Sequence, residues 1–185
     1  MSHRCEMDWM GQTITSLKDL WPQDLRAAVV GINPAPSSVE AGHYYQGNLG
    51  QLLFRRLRKA GILEDGGSGY EDDQALKVGI GFTDVVKRPT ASASGVLPEE
   101  LAFGKRLLTE KLVDRQVPLV IFAFKKSAET ILGKFHGNGF ITSAALGDSQ
   151  VFVMPGPYES VTTSNVTVSQ LRDYWRQANS ERGDR

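Results

Sequence analysis

Short apolar segments alternate with amphipathic segments along this chain. Four segments are apolar throughout and end at Gly, Pro or polar residues, which is typical of strands buried on both faces: residues 27–31, 78–82, 119–124 and 151–154. Four others show the mixed pattern of helices: residues 51–60, 98–114, 127–135 and 167–178. Apolar strands that alternate with helices predict a mostly parallel sheet covered by helices on both faces.

Capping residues indicate where these helices begin and end. Gly61 ends the first helix, and Pro98 begins the second. Ser127 is the expected N-cap of the third helix, because its hydroxyl can accept a hydrogen bond from the first turn. Thr167 or Ser169 is expected to cap the last helix in the same way.

The chain length favours a single α/β domain over residues 1–185, with a loop at residues 64–73 and frayed ends at about residues 1–12 and 178–185. No apolar run approaches the roughly 18 residues that span a bilayer, and no leader pattern opens the sequence. The single cysteine excludes an internal disulfide and a four-cysteine cluster. We therefore expect a cytoplasmic protein without a membrane partner, bound to the nucleoid in a prokaryote.

Charge gives only local hints about a partner. The chain has 21 Lys and Arg residues and 21 Asp and Glu residues, so its formal net charge is zero. This balance argues against a non-specific polyanion binder but permits a basic face. The basic residues cluster, and the clusters are Arg55, Arg56, Arg58 and Lys59; Lys87 and Arg88; and Lys125 and Lys126.

Polar or Gly/Pro-rich sequence follows each of the four predicted strands. Asn33-Pro34 follows the first, Thr83-Asp84 the second, Lys125-Lys126 the third and the segment 155–158 the fourth. The carboxyl ends of parallel strands meet at one edge of a sheet, where ligands bind in α/β proteins. The pattern therefore predicts a site at this edge.

Three sequence blocks resemble the mismatch-specific uracil/thymine DNA glycosylases, a branch of the uracil-DNA glycosylase superfamily. The first is GINPAPSSVEAGHYY at residues 31–45, the second is GIGFTDVVKRPT at residues 79–90, and the third is VFVMPGPYES at residues 151–160. Their order and spacing match the family over about residues 13–177. One block alone would be a weak signal, whereas three in order are a strong one.

The resemblance implies a three-layer α/β/α sandwich of the uracil-DNA glycosylase type, with no metal and no redox cofactor. It implies a monofunctional glycosylase that acts on DNA containing uracil or a mismatched or deaminated base. A monomer is the default expectation for a protein that threads along DNA. Asn33 matches the asparagine that positions water, and Tyr45 matches the aromatic residue that stacks on the flipped base. Ile32 and Thr83 are further expected substrate-binding residues.

The third block matches the family's loop that enters the duplex. Its expected DNA-binding residues are Pro155, Gly156, Pro157, Tyr158 and Ser160. A large aromatic residue at such a tip suits a wedge, which fills the gap left by a flipped base. His43 is a lone histidine in a loop and is expected to form hydrogen bonds or to contact phosphate, rather than to act as a general base.

Two roles are open for Asp84, which stands where relatives have an amide or a lysine. Cleavage of an N-glycosidic bond builds positive charge on the sugar, and a carboxylate can stabilise it or accept a proton from water. Asn33 can hold a water molecule but cannot accept its proton. In the alternative interpretation, Asp84 caps a turn or pairs with Lys87 or Arg88.

Several departures from the family pattern favour a second hypothesis. Ala35 follows the GINP proline in place of the usual Gly, and the final block has Met154 where many relatives have Asn or His. The protein could therefore be a damage-binding protein of the same fold with little turnover. A soluble-nucleotide enzyme is disfavoured, because no glycine-rich phosphate loop follows the first strand.

Overall fold

A five-stranded sheet forms the centre of the fold. The computed structural model describes residues 1–143 and 146–183. The strands are β1 Arg4–Trp9, β2 Gln12–Leu17, β3 Ala27–Gly31, β4 Ile80–Asp84, β5 Leu119–Phe122, β6 Gly139–Phe140 and β7 Gln150–Val153. The central sheet has the order β4-β3-β5-β7-β6; its first four strands are parallel, and β6 is antiparallel to β7.

Helices cover both faces of this sheet. They are α1 Pro36–Ala41, α2 Asn48–Lys59, α3 Glu71–Lys77, α4 Pro98–Asp114, α5 Lys125–Leu132 and α6 Val161–Gly183. One apolar core joins the sheet to α2, α3 and α6, and a second joins it to α4 and α5. The predicted three-layer α/β/α fold with a mostly parallel sheet is confirmed.

The continuously apolar segments were placed best by the sequence. Strand β3 and helix α4 have the predicted bounds. Strand β4 begins two residues later than predicted, because Gly79 takes a left-handed backbone angle of φ 86° and its carbonyl accepts the Arg26 amide at 2.8 Å. No helix in the described residues is long and apolar enough to cross a membrane.

The first 12 residues are not frayed, which corrects the prediction for the amino-terminal end. Strand β1 pairs with β2 in an antiparallel hairpin, and the His3 amide donates to the Gly42 carbonyl at 2.7 Å. The other end is also ordered as far as it is described, since α6 continues to Gly183 and Arg182 pairs with Asp24 at 2.8 Å. Residues 184–185 lie outside the described part.

Helix starts were predicted less well. Helix α6 begins well before Thr167, and the Ser160 hydroxyl caps it by accepting the Thr163 amide at 3.0 Å. Ser127 lies inside α5, where its hydroxyl donates to the Phe124 carbonyl at 2.7 Å, so it is not the N-cap. The predicted loop at residues 64–73 contains the start of α3.

The outer edge of β4 is covered. Leu20 forms an isolated antiparallel bridge with Phe82, in which each amide donates to the other residue's carbonyl, at 2.8 and 2.9 Å. The segment between β2 and β3 therefore lies alongside β4, at the edge of the central sheet.

Candidate active site

The carboxyl ends of β3 and β4 lie side by side, as the polar strand ends predicted. Gly31 is the register partner of Asp84. The pairing continues past both strands, because Val85 and Val86 donate their amides to the carbonyls of Gly31 and Ile32 at 3.1 and 2.8 Å. Asn33 and Asp84 thus leave the sheet at the same edge.

Asp84 is buried, with 3% of its surface exposed. Its carboxylate occupies the space above Gly31, where a Cβ atom would overlap Asp84 Oδ1, so a larger residue at position 31 would displace the carboxylate. Burial raises the pKa of Asp84 to about 7, while the Lys87 charge opposes this rise and the Asp19 charge adds to it. The carboxyl group therefore changes its protonation close to neutral pH.

The alternative role of Asp84 as an ion-pair partner does not match the contacts. Lys87 Nζ donates to the backbone carbonyl of Asp84 at 2.8 Å, and Arg88 pairs with Glu100 at 2.6 Å. Within residues 1–143 and 146–183, neither cation pairs with the Asp84 carboxylate.

The Asn33 side chain is held in one orientation. Its amide nitrogen donates to the Pro34 carbonyl at 3.0 Å, to the Thr90 carbonyl at 3.2 Å and to Thr90 Oγ1 at 2.8 Å. Because the two carbonyls can only accept, the NH₂ group must face them. Asn33 Oδ1 is therefore the atom left to accept a hydrogen bond from water. The sequence block contained Thr90 but did not indicate this contact.

Tyr45 lies beside Asp84 and is half-buried. A Cβ on Gly31 would be 2.8 Å from its hydroxyl oxygen, so this hydroxyl and the Asp84 carboxylate share a small volume. The hydroxyl is buried and has no hydrogen-bond partner among the described residues. Burial, followed by the Asp84 charge, raises the pKa of Tyr45 well above its ordinary value.

The backbone of Tyr45 is strained into the left-handed region, with φ 59°. Such a conformation costs a non-glycine residue of order 1–3 kcal/mol and persists only where its surroundings impose it. The start of α2 packs directly against this backbone, because a Cβ on Gly50 would meet the Tyr45 carbonyl carbon and Cα at 2.6 Å. The Tyr45 ring packs against Phe54 and Phe82, with ring centroids 6.1 Å away in each case.

Thr83 does not share this side of the sheet, contrary to its predicted place in the base pocket. Successive side chains of a strand point to opposite faces, so Thr83 points away from Asp84. It is fully buried, and its hydroxyl donates to Asp19 Oδ1 at 2.7 Å. Lys87 and Lys111 pair with the two oxygens of Asp19 at 2.5 Å each.

Two other expected substrate contacts are buried elsewhere. Ile32 packs in the core on the α4 and α5 side, with 7% of its surface exposed. His43 is 3% exposed, its Nδ1 lies 2.9 Å from Asp72 Oδ1, and its ring stacks on Tyr70 at 3.5 Å. A phosphate contact by His43 is therefore wrong for this structure, whereas hydrogen bonding is right. The sequence could not show this, because Asp72 lies 29 residues away.

The segment after β7 has a buried base and an exposed tip. Pro155 is buried, which corrects its expected contact with DNA, while Tyr158 is 94% exposed. Arg56 fixes the base, since its guanidinium donates to the Pro155 and Gly156 carbonyls at 2.6 and 2.9 Å. Ser160 remains exposed beside the tip, where it also caps α6.

Burial removes some residues from the expected basic face. Arg56 and Lys87 are engaged inside the fold, as the contacts above show. The basic residues of the three clusters that stay exposed are Arg55, Lys59, Lys125 and Lys126. Arg56 looked like a solvated member of its cluster, and only the loop contact 99 residues away distinguishes it.

One group of described side chains has the composition of a metal site. His3, His43, Asp72 and Asp73 each offer a ligand atom within 4.8 Å of the others. None of the residues that frame the Gly31 edge belongs to this group.

The comparison with protein families gives one finding. The family model described as "Uracil DNA glycosylase superfamily" matches residues 18–178. The matched segment includes Asn33, Tyr45, Asp84 and the loop with Tyr158.

Proposed function

The chain belongs to the uracil DNA glycosylase superfamily, and from this premise we propose that it excises uracil, or a related deaminated or mismatched base, from DNA as the mismatch-specific branch does. Membership supports a DNA glycosylase role. The observation that carries the finer proposal is the pairing at one sheet edge of an oriented asparagine with a buried carboxyl group.

The base must first leave the stack, because its glycosidic bond is unreachable inside a duplex. We assign the partly exposed face of Tyr45 to the extruded base. Base–aromatic stacking returns about 1–3 kcal/mol in proteins that bind single strands. The Tyr45 ring packs against Phe54 and Phe82, and these contacts hold it in place.

Bond cleavage then needs a stabilised sugar cation and a placed water molecule. The bond between the sugar C1′ and the base nitrogen breaks, and its electron pair leaves with the base. Asn33 Oδ1 accepts a hydrogen bond from the water that adds to C1′, and the Asp84 carboxylate stabilises the cation or accepts the water proton. A pKa of about 7 suits a general base at neutral pH.

Contact with the duplex is assigned to the exposed tip after β7. Tyr158 is free to enter the gap that the extruded base leaves. Arg56 holds the base of this loop by two carbonyl contacts, which gives the wedge a firm support. Phosphate contacts from Arg55, Lys59, Lys125 and Lys126 would make binding weaken as salt rises.

The test is single-turnover excision on a uracil-containing oligonucleotide, followed by alkaline cleavage of abasic sites. Wild-type protein should cleave both single-stranded and duplex substrate, and cleavage should persist when EDTA is present. Light scattering should show that the protein is a monomer. Tyr158→Ala should lose far more activity on duplex than on single strand, because only the duplex has a stack to hold open. Leu107→Ala, an exposed residue on α4, is the matched control.

Tight binding of damaged DNA without product in the same assay would support the alternative, a damage-binding protein. Neither binding nor product with uracil, thymine mismatch or hypoxanthine substrates would overturn both hypotheses. Equal losses of activity on the two substrates would show that Tyr158 is an ordinary loop residue.

A further inference from the structure

Four side chains that can bind metal meet where the amino-terminal hairpin contacts the start of α3. His3 precedes β1, His43 follows α1, and Asp72 and Asp73 lie in the first turn of α3. One ligand atom from each lies within 4.8 Å of the others. Because the ligands come from three separate segments, no spacing pattern in the sequence could show them together.

Three of the four side chains are shielded from water, and the fourth, Asp73, is partly exposed. His3, His43 and Asp72 are 6%, 3% and 0% exposed. Nε2 of His3 lies 2.9 Å from Asp73 Oδ1 and 3.8 Å from Asp72 Oδ2, and Nδ1 of His43 lies 2.9 Å from Asp72 Oδ1. In a tetrahedral zinc site with ligands at about 2.0–2.2 Å from the ion, the ligand atoms stand roughly 3.3–3.5 Å apart. This spacing lies between the 2.9 Å and 3.8 Å separations in the cluster.

Two of the ligands, Asp72 and His43, already have supporting contacts. The Tyr44 amide donates to Asp72 Oδ2 at 2.8 Å, and the Asp73 amide donates to Asp72 Oδ1 at 3.0 Å. The His43 ring lies flat on Tyr70, with centroids 3.5 Å apart and planes inclined by 10°. Such contacts orient ligands in metal sites, and their loss typically costs 10–100-fold in affinity.

Charge balance also favours a cation. The site brings two carboxylates together, and Asp72 is fully buried. Among the described residues, Asp72 has ion-pair contacts only with His3 and His43, and Asp73 adds only the Met1 ammonium at 3.2 Å. Buried charges are usually paired or coordinate metals.

We propose that His3 Nε2, His43 Nδ1 and the carboxylates of Asp72 and Asp73 bind one divalent cation of the zinc type. Imidazole nitrogen with carboxylate oxygen is a donor set that zinc accepts. The ion clamps the hairpin to α3 and has a structural role. The proposal does not depend on the substrate or on the excision chemistry.

The test is calorimetric titration of EDTA-stripped protein with ZnCl₂, with thermal melting alongside. Wild-type protein should bind one Zn²⁺ per chain and melt about 5–10 °C higher at a free zinc concentration 100-fold above the dissociation constant. Co²⁺ in place of Zn²⁺ should show the visible absorption of a four-coordinate site.

Variants separate a metal site from a plain hydrogen-bonded cluster. His3→Ala and Asp73→Asn should each weaken zinc binding at least about 10-fold. Asp73→Asn keeps an oxygen that can accept a hydrogen bond from His3, so without zinc it should melt at the same temperature as wild type. With zinc, its melting temperature should rise less than that of wild type. His136→Ala replaces the exposed third histidine and should bind zinc like wild type. Absent or non-stoichiometric binding by the wild type, or losses in His136→Ala equal to those in His3→Ala, would overturn the proposal.

Discussion

Two aspartates near the carboxyl end of β4 have opposite surroundings. Asp19, on the Thr83 side, accepts hydrogen bonds from Thr83, Lys87 and Lys111 at 2.5–2.7 Å. Asp84, on the Tyr45 side, has no side-chain partner for its carboxylate among the described residues. Burial acts on both groups, but the two lysines and the threonine outweigh it at Asp19 and lower that pKa. At Asp84, burial prevails and the pKa rises to about 7.

The difference separates a carboxylate with structural partners from the one to which we assign a chemical role. A desolvated carboxylate with cationic partners stabilises the folded state and stays ionised. A desolvated carboxylate without them is destabilising when ionised, and such perturbed groups concentrate at functional sites. Thr83, which contacts Asp19, and Asp84 lie on opposite faces of β4, so the two carboxylates do not share the same contacts.

Removing the acid at position 84 should have the largest effect. Asp84→Asn keeps the volume but cannot accept a proton, so single-turnover excision should fall by about 10²–10⁴-fold. Wild-type excision should decrease as pH falls through about 7, and this limb should vanish in the variant. Asn33→Ala should also lose activity while keeping the pH limb in what remains.

Binding to abasic DNA distinguishes lost chemistry from lost affinity in both variants. Full activity with an unchanged pH profile in Asp84→Asn would leave Asn33 as the only residue that handles water.

The same substitution should stabilise the protein above neutral pH. Because the folded pKa is raised, the stability contribution of Asp84 is full below its unfolded pKa of about 3.9 and is lost as pH rises through about 7. At pH 8, Asp84→Asn should therefore exceed wild type in free energy of unfolding by up to about 4 kcal/mol, relative to pH 4. Urea unfolding across this range measures the difference, and a constant difference would contradict the raised pKa.

Asp19→Asn should act in the opposite direction. It leaves Lys87, whose side chain is 14% exposed, without its counter-charge, so the free energy of unfolding should fall by about 1–3 kcal/mol at pH 7. This loss is smaller than for a fully buried ion pair, because the second partner, Lys111, is 40% exposed. Since the pKa of Asp19 is lowered, this difference should shrink as pH falls below about 3.9. Asp65→Asn, an exposed loop residue, is the control and should change stability by less than about 0.5 kcal/mol. A loss of excision as large as in Asp84→Asn would abolish the distinction between the two aspartates.

Thr83→Val should have the smallest effect of these substitutions, and it tests whether Thr83 lines the base pocket. It removes the hydrogen bond that Thr83 donates to Asp19 and the one that it accepts from Lys87 Nζ at 3.0 Å, each worth about 1 kcal/mol of stability. Excision should stay within a few-fold of wild type, because Thr83 faces away from Tyr45. A large loss of uracil excision with unchanged stability would instead place Thr83 in the base pocket, as the family resemblance implies.

The fold was predictable where apolar sequence alone decides the structure. Strands β3 and β5 are buried on both faces, so their runs of Ala, Val, Ile and Leu are distinctive. The β1–β2 hairpin was missed because it buries only part of each strand, and β1 carries charged residues between its partly buried ones. Helix α3 was missed because its acidic first turn, Glu71–Asp73, follows a glycine-rich loop.

The site was predictable to the extent that strand ends define it. Asn33 and Asp84 follow buried strands, and parallel pairing brings such ends together. The supporting contacts were not predictable, since Arg56 reaches a loop 99 residues away and Asn33 reaches Thr90 57 residues away. Asp19 is 64 residues from Thr83, and no local pattern indicates that contact.

The Leu20 bridge along β4 has a consequence for handling the protein. A bare β4 would present a row of unpaired backbone groups, which is a template for strand addition between copies. Leu20 occupies that position through two hydrogen bonds with Phe82. An expression fragment trimmed past Leu20 would keep every catalytic candidate yet expose this edge, and it should aggregate at concentrations where the full chain stays dispersed. A fusion tag at the amino terminus, joined through a flexible linker, leaves the bridge intact.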